Sequence, residues 1–315
     1  MDSTKQREYL LLRAYEENIE TRGILLRIPF VALEQIEDNS WGNMKFSDDE
    51  KVRLRSIIQV DIVSKIMMYI EDLAILSESF IQKKDFYELL VDDSIDIGCL
   101  TGDFVRDIAS FSDGRVSKIM NYTQPNSIST DKESVKLLNK HLKYNIDKTK
   151  NNLLQVANFS SEANHLLYKR FKHAGMPILP NTLQAHPKSG PLGDFEVFSI
   201  VSEGLDPFRD VILLPYSKGV LARYEKIVSV LQNVLREMVR NRKVCIERNI
   251  DGMIPPEYSL DMFTSDERSL IQTRLDEFYN THPILDVPKR IEYNLDKETS
   301  QKMFEKIRWY LQKDT

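Results

Sequence analysis

The longest run of helix-spaced apolar residues lies between residues 47 and 83. Its main stripe recurs every three or four positions and consists of Leu54, Ile58, Ile62, Ile66, Ile70, Leu73 and Phe80. A second set widens this stripe beyond the narrow seam of a two-stranded coiled coil: Ile57, Val63, Met67, Ala74 and Ile81. Ser47 and Glu50 have the spacing of a capping box, which marks a helix start. The pattern predicts a helix of roughly 55 Å at the centre of a bundle.

The same periodicity predicts further helices along most of the chain. They cover residues 3–20, 29–36, 85–91, 101–111, 131–158, 160–175, 219–248, 265–279 and 297–312. Gly23 and Pro29 separate the first two, and Asp113-Gly114 is expected to end the fourth. The chain has only 11 Gly and 12 Pro in 315 residues, which favours long regular elements.

The pattern changes after Gly175, where prolines and glycines become frequent. Two β-like runs follow, at residues 195–201 and 211–216, and their separation allows them to pair. The sequence therefore predicts a mainly α fold, a multi-helix bundle with a small β-hairpin or two-stranded insert after residue 176. The predicted units are an N-terminal helical bundle, residues 1–175, and a C-terminal helical region with the β insert, residues 176–315. A single continuous domain is the alternative.

Composition narrows the class of protein further. The net charge is −5, which argues against a surface that coats nucleic acid or a membrane throughout. The most apolar stretch, residues 57–76, is interrupted by four charged side chains, so no membrane span is expected. The first residues lack the pattern of a signal peptide. A soluble, cytoplasmic protein that does not bind membranes is predicted.

Cofactor and metal motifs are absent from the sequence. Cys99 and Cys245 lie far apart and beside apolar residues, so both are expected to be reduced and buried. Glu162 and His165 have the Glu-x-x-His spacing of di-iron bundles, but no second copy exists among the other histidines. No metal site and no cofactor are therefore predicted.

The most distinctive peptide is YKRFKHAG, residues 168–175, in which cations alternate with aromatic side chains. Lys169, Arg170 and Lys172 can neutralise phosphates, while the aromatic faces offer stacking surfaces for bases. In the alternative interpretation the aromatic residues belong to the core and the cations interact with a helix C-terminus. Residues 132–173 carry nine cations and three acids. The helix at 219–248 is also basic and contributes Arg240, Arg242 and Lys243 as candidate nucleic-acid-binding residues.

Residues 131–175 resemble helical proteins of the HEPN (higher eukaryotes and prokaryotes nucleotide-binding) superfamily. The peptide at 168–175 looks like the aromatic-rich Lys-His-Gly peptide that ends a helix in related helical proteins, with Ala174 inserted. The resemblance implies an Arg and a His, four to six residues apart, that cleave RNA when two subunits face each other. Arg170 and His173 are closer together than that spacing. Arg240-Asn241 matches the first half of the motif, but Cys245 stands at the expected histidine position.

Two functions follow as hypotheses. The first is a non-catalytic helical interaction module that is associated with nucleic acid and forms homo-oligomers, with RNA as its partner. The alternative is a metal-independent ribonuclease of the HEPN type. In that case His173 acts as the general acid or base, and Arg170 or Lys172 holds the phosphate.

Overall fold

The structure of the protein is a computed structural model. It describes residues 3–38, 42–84, 89, 94–160, 164, 168, 178–179, 196–201, 211–216, 218–255, 262–286 and 301. Seven long or medium α-helices fall within these ranges: α1 Ser3–Glu37, α2 Asp48–Gln82, α3 Ile97–Asp107, α4 Asp113–Ile119, α5 Lys132–Phe159, α6 Lys218–Arg248 and α7 Ser265–Thr281. Short 3₁₀ turns occupy Ile108–Ser110 and Pro125–Ser127. The prediction of a mainly helical protein is confirmed.

Helix α2 is the central element of the bundle. It packs against α1, α3, α4 and α6. Both bonds of the predicted capping box are present, because Ser47 N–H donates to the Glu50 carboxylate at 2.8 Å and Glu50 N–H donates back to the Ser47 hydroxyl at 3.4 Å. Lys83 ends the helix in a left-handed conformation, with φ of 56°. Ile66 and Leu73 are fully buried, whereas Ile57, which was expected to widen the apolar stripe, is 51% exposed.

Helix α1 runs without interruption through Gly23 and Pro29, so the prediction of two separate helices was wrong. Pro29 cannot donate a backbone hydrogen bond to the carbonyl of Leu25, one turn earlier. Leu25 lies on the solvent side of the helix and is 49% exposed, so water can satisfy that carbonyl. Packing of the opposite face against α2 and α6 holds the helix together across the proline.

One other boundary and the exposure of one cysteine also differ from the prediction. The Asp113-Gly114 pair begins α4 instead of ending a helix, because Ser112 caps it through the backbone N–H of Arg115. Cys99 is exposed, although both cysteines were expected to be buried. Asp96 caps α3 by accepting from the Cys99 N–H at 3.0 Å, and this cap places Cys99 in the outer first turn. The predicted helices at 85–91, 160–175 and 297–312 lie largely outside the described residues.

Three short strands are described by their backbone alone: β1 Ile178–Leu179, β2 Glu196–Val201 and β3 Val211–Tyr216. They form an antiparallel sheet in the order β1-β2-β3. In the β2–β3 pair, Glu196 faces Tyr216 and Val201 faces Val211. The small β-hairpin or two-stranded insert that was expected after residue 176 stays a prediction.

The largest core cluster draws buried residues from α1 to α6 and therefore from both sides of residue 176. A smaller cluster joins α5 to α7 through Leu138, Ile254, Phe263 and Ile271. Gly252 allows the chain to approach the segment after α4 closely, since a Cβ atom there would lie 2.9 Å from the backbone nitrogen of Thr123. Within the described ranges, none of the helices combines the length and apolar character that a membrane crossing requires.

Candidate nucleic-acid interface

The predicted site residues fall into two groups. Lys169, Arg170, Lys172 and His173 lie outside the described residues, so their proposed roles stay predictions. Arg240, Arg242 and Lys243 lie on α6, close to its C-terminal end. The latter three do not share one environment: Arg240 is exposed, whereas Arg242 and Lys243 are partly buried.

Arg242 and Lys243 form ion pairs with the N-terminal half of α1. The guanidinium group of Arg242 binds both carboxylate oxygens of Glu8, at 2.6 and 3.0 Å. Lys243 donates to the carboxylate of Glu16 at 2.5 Å. Glu8 is 6% exposed, so the Arg242 charge compensates a carboxylate that is largely removed from water.

These pairs belong to a longer antiparallel ladder between α1 and α6. Arg236 binds both oxygens of Glu20, at 2.5 and 2.7 Å, and Tyr9 donates to Glu247 at 2.7 Å. The ladder provides specific contacts between residues of two helices that lie more than 200 positions apart in sequence. A polyanion would have to compete with Glu8 and Glu16 for Arg242 and Lys243, so these two cations are primarily structural.

The Glu16–Lys243 pair should contribute measurably to stability. A double-mutant cycle with Glu16→Gln and Lys243→Gln is expected to give a coupling free energy of about 0.5–1 kcal/mol, because both groups are only partly exposed. The coupling should decrease in high salt, since salt screens charge pairs near the surface. A coupling energy of zero at low salt would show that the ladder does not hold α1 against α6.

Arg240 lies instead in a polar groove between α5 and α6, which we name the amide groove. The groove has a volume of about 460 Å³. It is lined by Glu16, Asn145, Lys148, Asn152, Asn233, Arg236, Glu237, Arg240, Asn241 and Pro255. Lys148 on α5 and Arg240 on α6 are both exposed, on opposite walls. Four asparagines supply most of the remaining polar lining, so the groove is rich in hydrogen-bonding groups.

Two of these asparagines are held in fixed orientations. Asn145 donates its side-chain amide to the carbonyl of His141 at 2.9 Å, and Asn241 donates to the carbonyl of Met120 at 2.8 Å. A carbonyl oxygen only accepts hydrogen bonds, so each amide must turn its NH₂ group to that partner. The side-chain oxygen is then the acceptor that each residue can offer to a ligand. Both residues are at least nine-tenths buried, which keeps the amides in place.

His141 lies behind the groove and stabilises its wall. The ring is fully buried, and Nε2 donates to the carbonyl of Pro255 at 2.7 Å. Burial lowers the pKa of His141, since the charged imidazolium is poorly solvated there. The histidine is therefore neutral and positions Asn145 and Pro255. It has no exposed surface through which to exchange protons with a bound substrate.

Cys245, at the position where the HEPN motif has histidine, does not serve as a general acid or base. Its side chain is 2% exposed. Burial raises the pKa of the thiol to about 12, so it stays protonated near neutral pH. Arg240 and Asn241, which match the first half of the motif, thus line the amide groove. The histidine that the motif would use for proton transfer is replaced by Cys245, a buried thiol that stays protonated.

A second cavity, of about 450 Å³, contains Arg242 and three lysines: Lys5, Lys83 and Lys118. The C-terminal ends of α2, α4 and α6 meet there. Because helix C-termini carry partial negative charge, these cations have a structural reason to gather at this point. Arg242 also forms an ion pair with Glu8 and is therefore less accessible to a ligand. The amide groove is the stronger candidate for a ligand site.

In the part of the chain that the structure describes, no group of three or more His, Cys, Asp or Glu side chains could hold a metal ion.

No protein-family model matches this chain, and searches of curated proteins and of solved structures found no match either. The fold and the groove therefore define the protein as a mainly helical chain with a polar, amide-lined groove between two long helices.

Proposed function

We propose that this protein is a non-catalytic helical interaction module that binds single-stranded RNA in the amide groove. The observation that supports the proposal is the placement of two exposed cations, Lys148 on α5 and Arg240 on α6, in a groove whose lining includes four asparagines. Cations of this kind bind phosphates, and oriented amides hydrogen-bond to the edges of unpaired bases. RNA thus combines the two chemistries that the groove offers.

The acidic residues of the groove do not oppose this role strongly. Glu16 is paired with Lys243 at 2.5 Å. Glu237 accepts a hydrogen bond from the hydroxyl of Tyr122 at 2.7 Å, which orients its carboxylate toward protein. Lys243 thus offsets the charge of Glu16, while Tyr122 binds one carboxylate oxygen of Glu237.

Binding is favoured over cleavage, because His141 and Cys245 are not available to transfer protons to or from a bound RNA. Metal-independent cleavage of RNA needs a general base that can reach the 2′-hydroxyl and change its protonation near neutral pH. Among the described residues beside the groove, His141 is buried and Cys245 has a pKa of about 12. The ribonuclease alternative rests on Arg170 and His173 and stays a prediction, as do homo-oligomer formation, the β insert after residue 176 and a cytoplasmic location.

The decisive experiment measures the affinity for a fluorescent single-stranded RNA of mixed sequence over a series of salt concentrations. The Lys148→Gln/Arg240→Gln variant is expected to bind more weakly, with a log–log salt slope reduced by roughly 1.4, because two phosphate contacts are lost. Both residues are exposed, so the change should not unfold the protein.

The matched control is Lys132→Gln/Lys136→Gln, which removes two exposed cations from the same helix, α5, outside the groove. If the control weakens binding as much as the groove variant, the attraction is general and the groove has no special role. The RNA is then recovered after incubation in chelator. Intact RNA agrees with the proposal, whereas cleavage that disappears in His173→Ala supports the ribonuclease alternative.

A further inference from the structure

The C-terminal half of α1 carries an unusual set of exposed apolar side chains. Ile24, Leu25, Ile28 and Val31 are each between 49% and 63% exposed and fall within two turns of the helix. In most surface helices such positions are polar. A concentration of exposed aliphatic residues on one face is typical of a protein–protein contact.

This ridge borders a groove between the C-terminal half of α1 and the N-terminal half of α6. Two adjoining cavities, of about 370 and 390 Å³, share Phe30, Glu34 and Glu225 and so form one continuous groove. Its floor consists of apolar side chains from both helices: Leu26, Phe30, Val31, Leu33, Leu221 and Val228. From Gly23 to Asp38 the groove spans roughly 22 Å along α1, which is the length of about four helical turns.

The rim of the groove is acidic. Glu34, Asp38 and Glu225 are exposed, and no described residue forms a salt bridge with their carboxylates. Glu37 adds a fourth acid, which binds Arg55, and Arg27 is the one cation among the lining residues of the two cavities. We name the apolar floor, its acidic rim and the adjoining ridge the acid-rimmed groove.

We propose that the acid-rimmed groove is a docking site for a basic amphipathic helix of a partner protein. An apolar floor about four turns long accepts the apolar stripe of such a helix, and carboxylates on the rim attract lysine or arginine on its flanks. Nucleic acid and anionic lipid are disfavoured, because the same carboxylates repel them. A second copy of this chain is also disfavoured, since a two-fold contact would place one acidic rim against the other.

The inference is independent of the RNA proposal, because the two grooves share no lining residue. It is tested with a fluorescent peptide of leucine and lysine, about four helical turns long, in which the leucines have helical spacing. A control peptide carries glutamate in place of lysine. The lysine peptide should bind, and the glutamate peptide should not.

Two variants and two matched controls locate the binding surface. Val31→Asp and Glu225→Lys should each weaken the lysine peptide about tenfold or more, through the floor and the rim respectively. Ile284→Asp and Asp276→Lys make the same kinds of change at exposed positions elsewhere and should have no effect. Circular dichroism verifies that all four variants fold, and RNA binding by Val31→Asp should remain unchanged.

The proposal is overturned if the lysine peptide fails to bind at concentrations up to about 1 mM, or if both peptides bind equally. Unchanged binding by Val31→Asp and Glu225→Lys would overturn it as well. Light scattering gives a further test. A concentration-dependent dimer that Val31→Asp abolishes would assign the surface to self-association instead.

Discussion

Replacement of Ile66 by alanine lowers the free energy of unfolding by about 2–5 kcal/mol, because the side chain is fully buried in the centre of α2. The loss combines the transfer energy of the deleted methyl groups with the cavity that remains. Helix α2 contacts four other helices, so the surroundings have little freedom to collapse into that cavity. Urea unfolding followed by circular dichroism measures the effect.

Ile57 provides a control within the same helix. Its side chain is 51% exposed, so Ile57→Ala should cost well under half as much as Ile66→Ala. The two substitutions have the same chemistry and nearly the same effect on helix propensity, so their difference reports burial. Equal losses at the two positions would mean that α2 is rotated about its axis relative to the structure described above.

Cys245 should make the protein lose stability in alkaline solution. Burial raises the pKa of its thiol from 9.0 to about 12. Between these values the unfolded chain releases a proton that the folded protein retains, so unfolding becomes more favourable as the pH rises. The contribution is fully present below about pH 9 and is lost at up to roughly 1.4 kcal/mol per pH unit toward pH 12.

The measurement is the free energy of unfolding in reducing buffer at several pH values above about 8. Cys245→Ala should flatten the slope between about pH 9 and pH 11, although it lowers stability somewhat at every pH by leaving a small cavity. Tyr9, whose pKa burial also raises to about 12, remains in both proteins and serves as a common background. Burial and the neighbouring Cys245 raise the pKa of Tyr279, so this tyrosine belongs to the effect that the variant removes. Identical slopes in the two proteins would contradict the assignment.

Structural features formed by residues close together in the sequence could be predicted from the sequence. The capping box of Ser47 and Glu50 and the Asp131 cap of α5 are local hydrogen-bond patterns, and the structure contains both. The continuity of α1 was not predictable from local rules. Pro29 normally interrupts a helix, and only the packing of α1 against α2 and α6 outweighs that tendency.

The candidate site was predictable in part. The basic character of α6 identified Arg240, but it did not distinguish that residue from Arg242 and Lys243, whose partners Glu8 and Glu16 lie in a remote part of the sequence. The asparagines of the groove were missed. Asn145 and Asn152, seven residues apart, fall on the same face of α5 and were the available signal. Asparagine alone is too common on helix surfaces to identify a site.

The pairing of α1 with α6 has a consequence for synthesis on the ribosome. Helix α1 is made before α6 and finds its ion-pair partners Arg236, Arg242 and Lys243 only after some 200 further residues have been added. Until then its inner face, including Leu26 and Leu33, lacks part of its final cover. Contacts of such long range slow folding and leave apolar surface open to wrong partners. Helix α1 is therefore translated well before the helix that completes its packing, and its inner face is accessible to chaperones until α6 has been made.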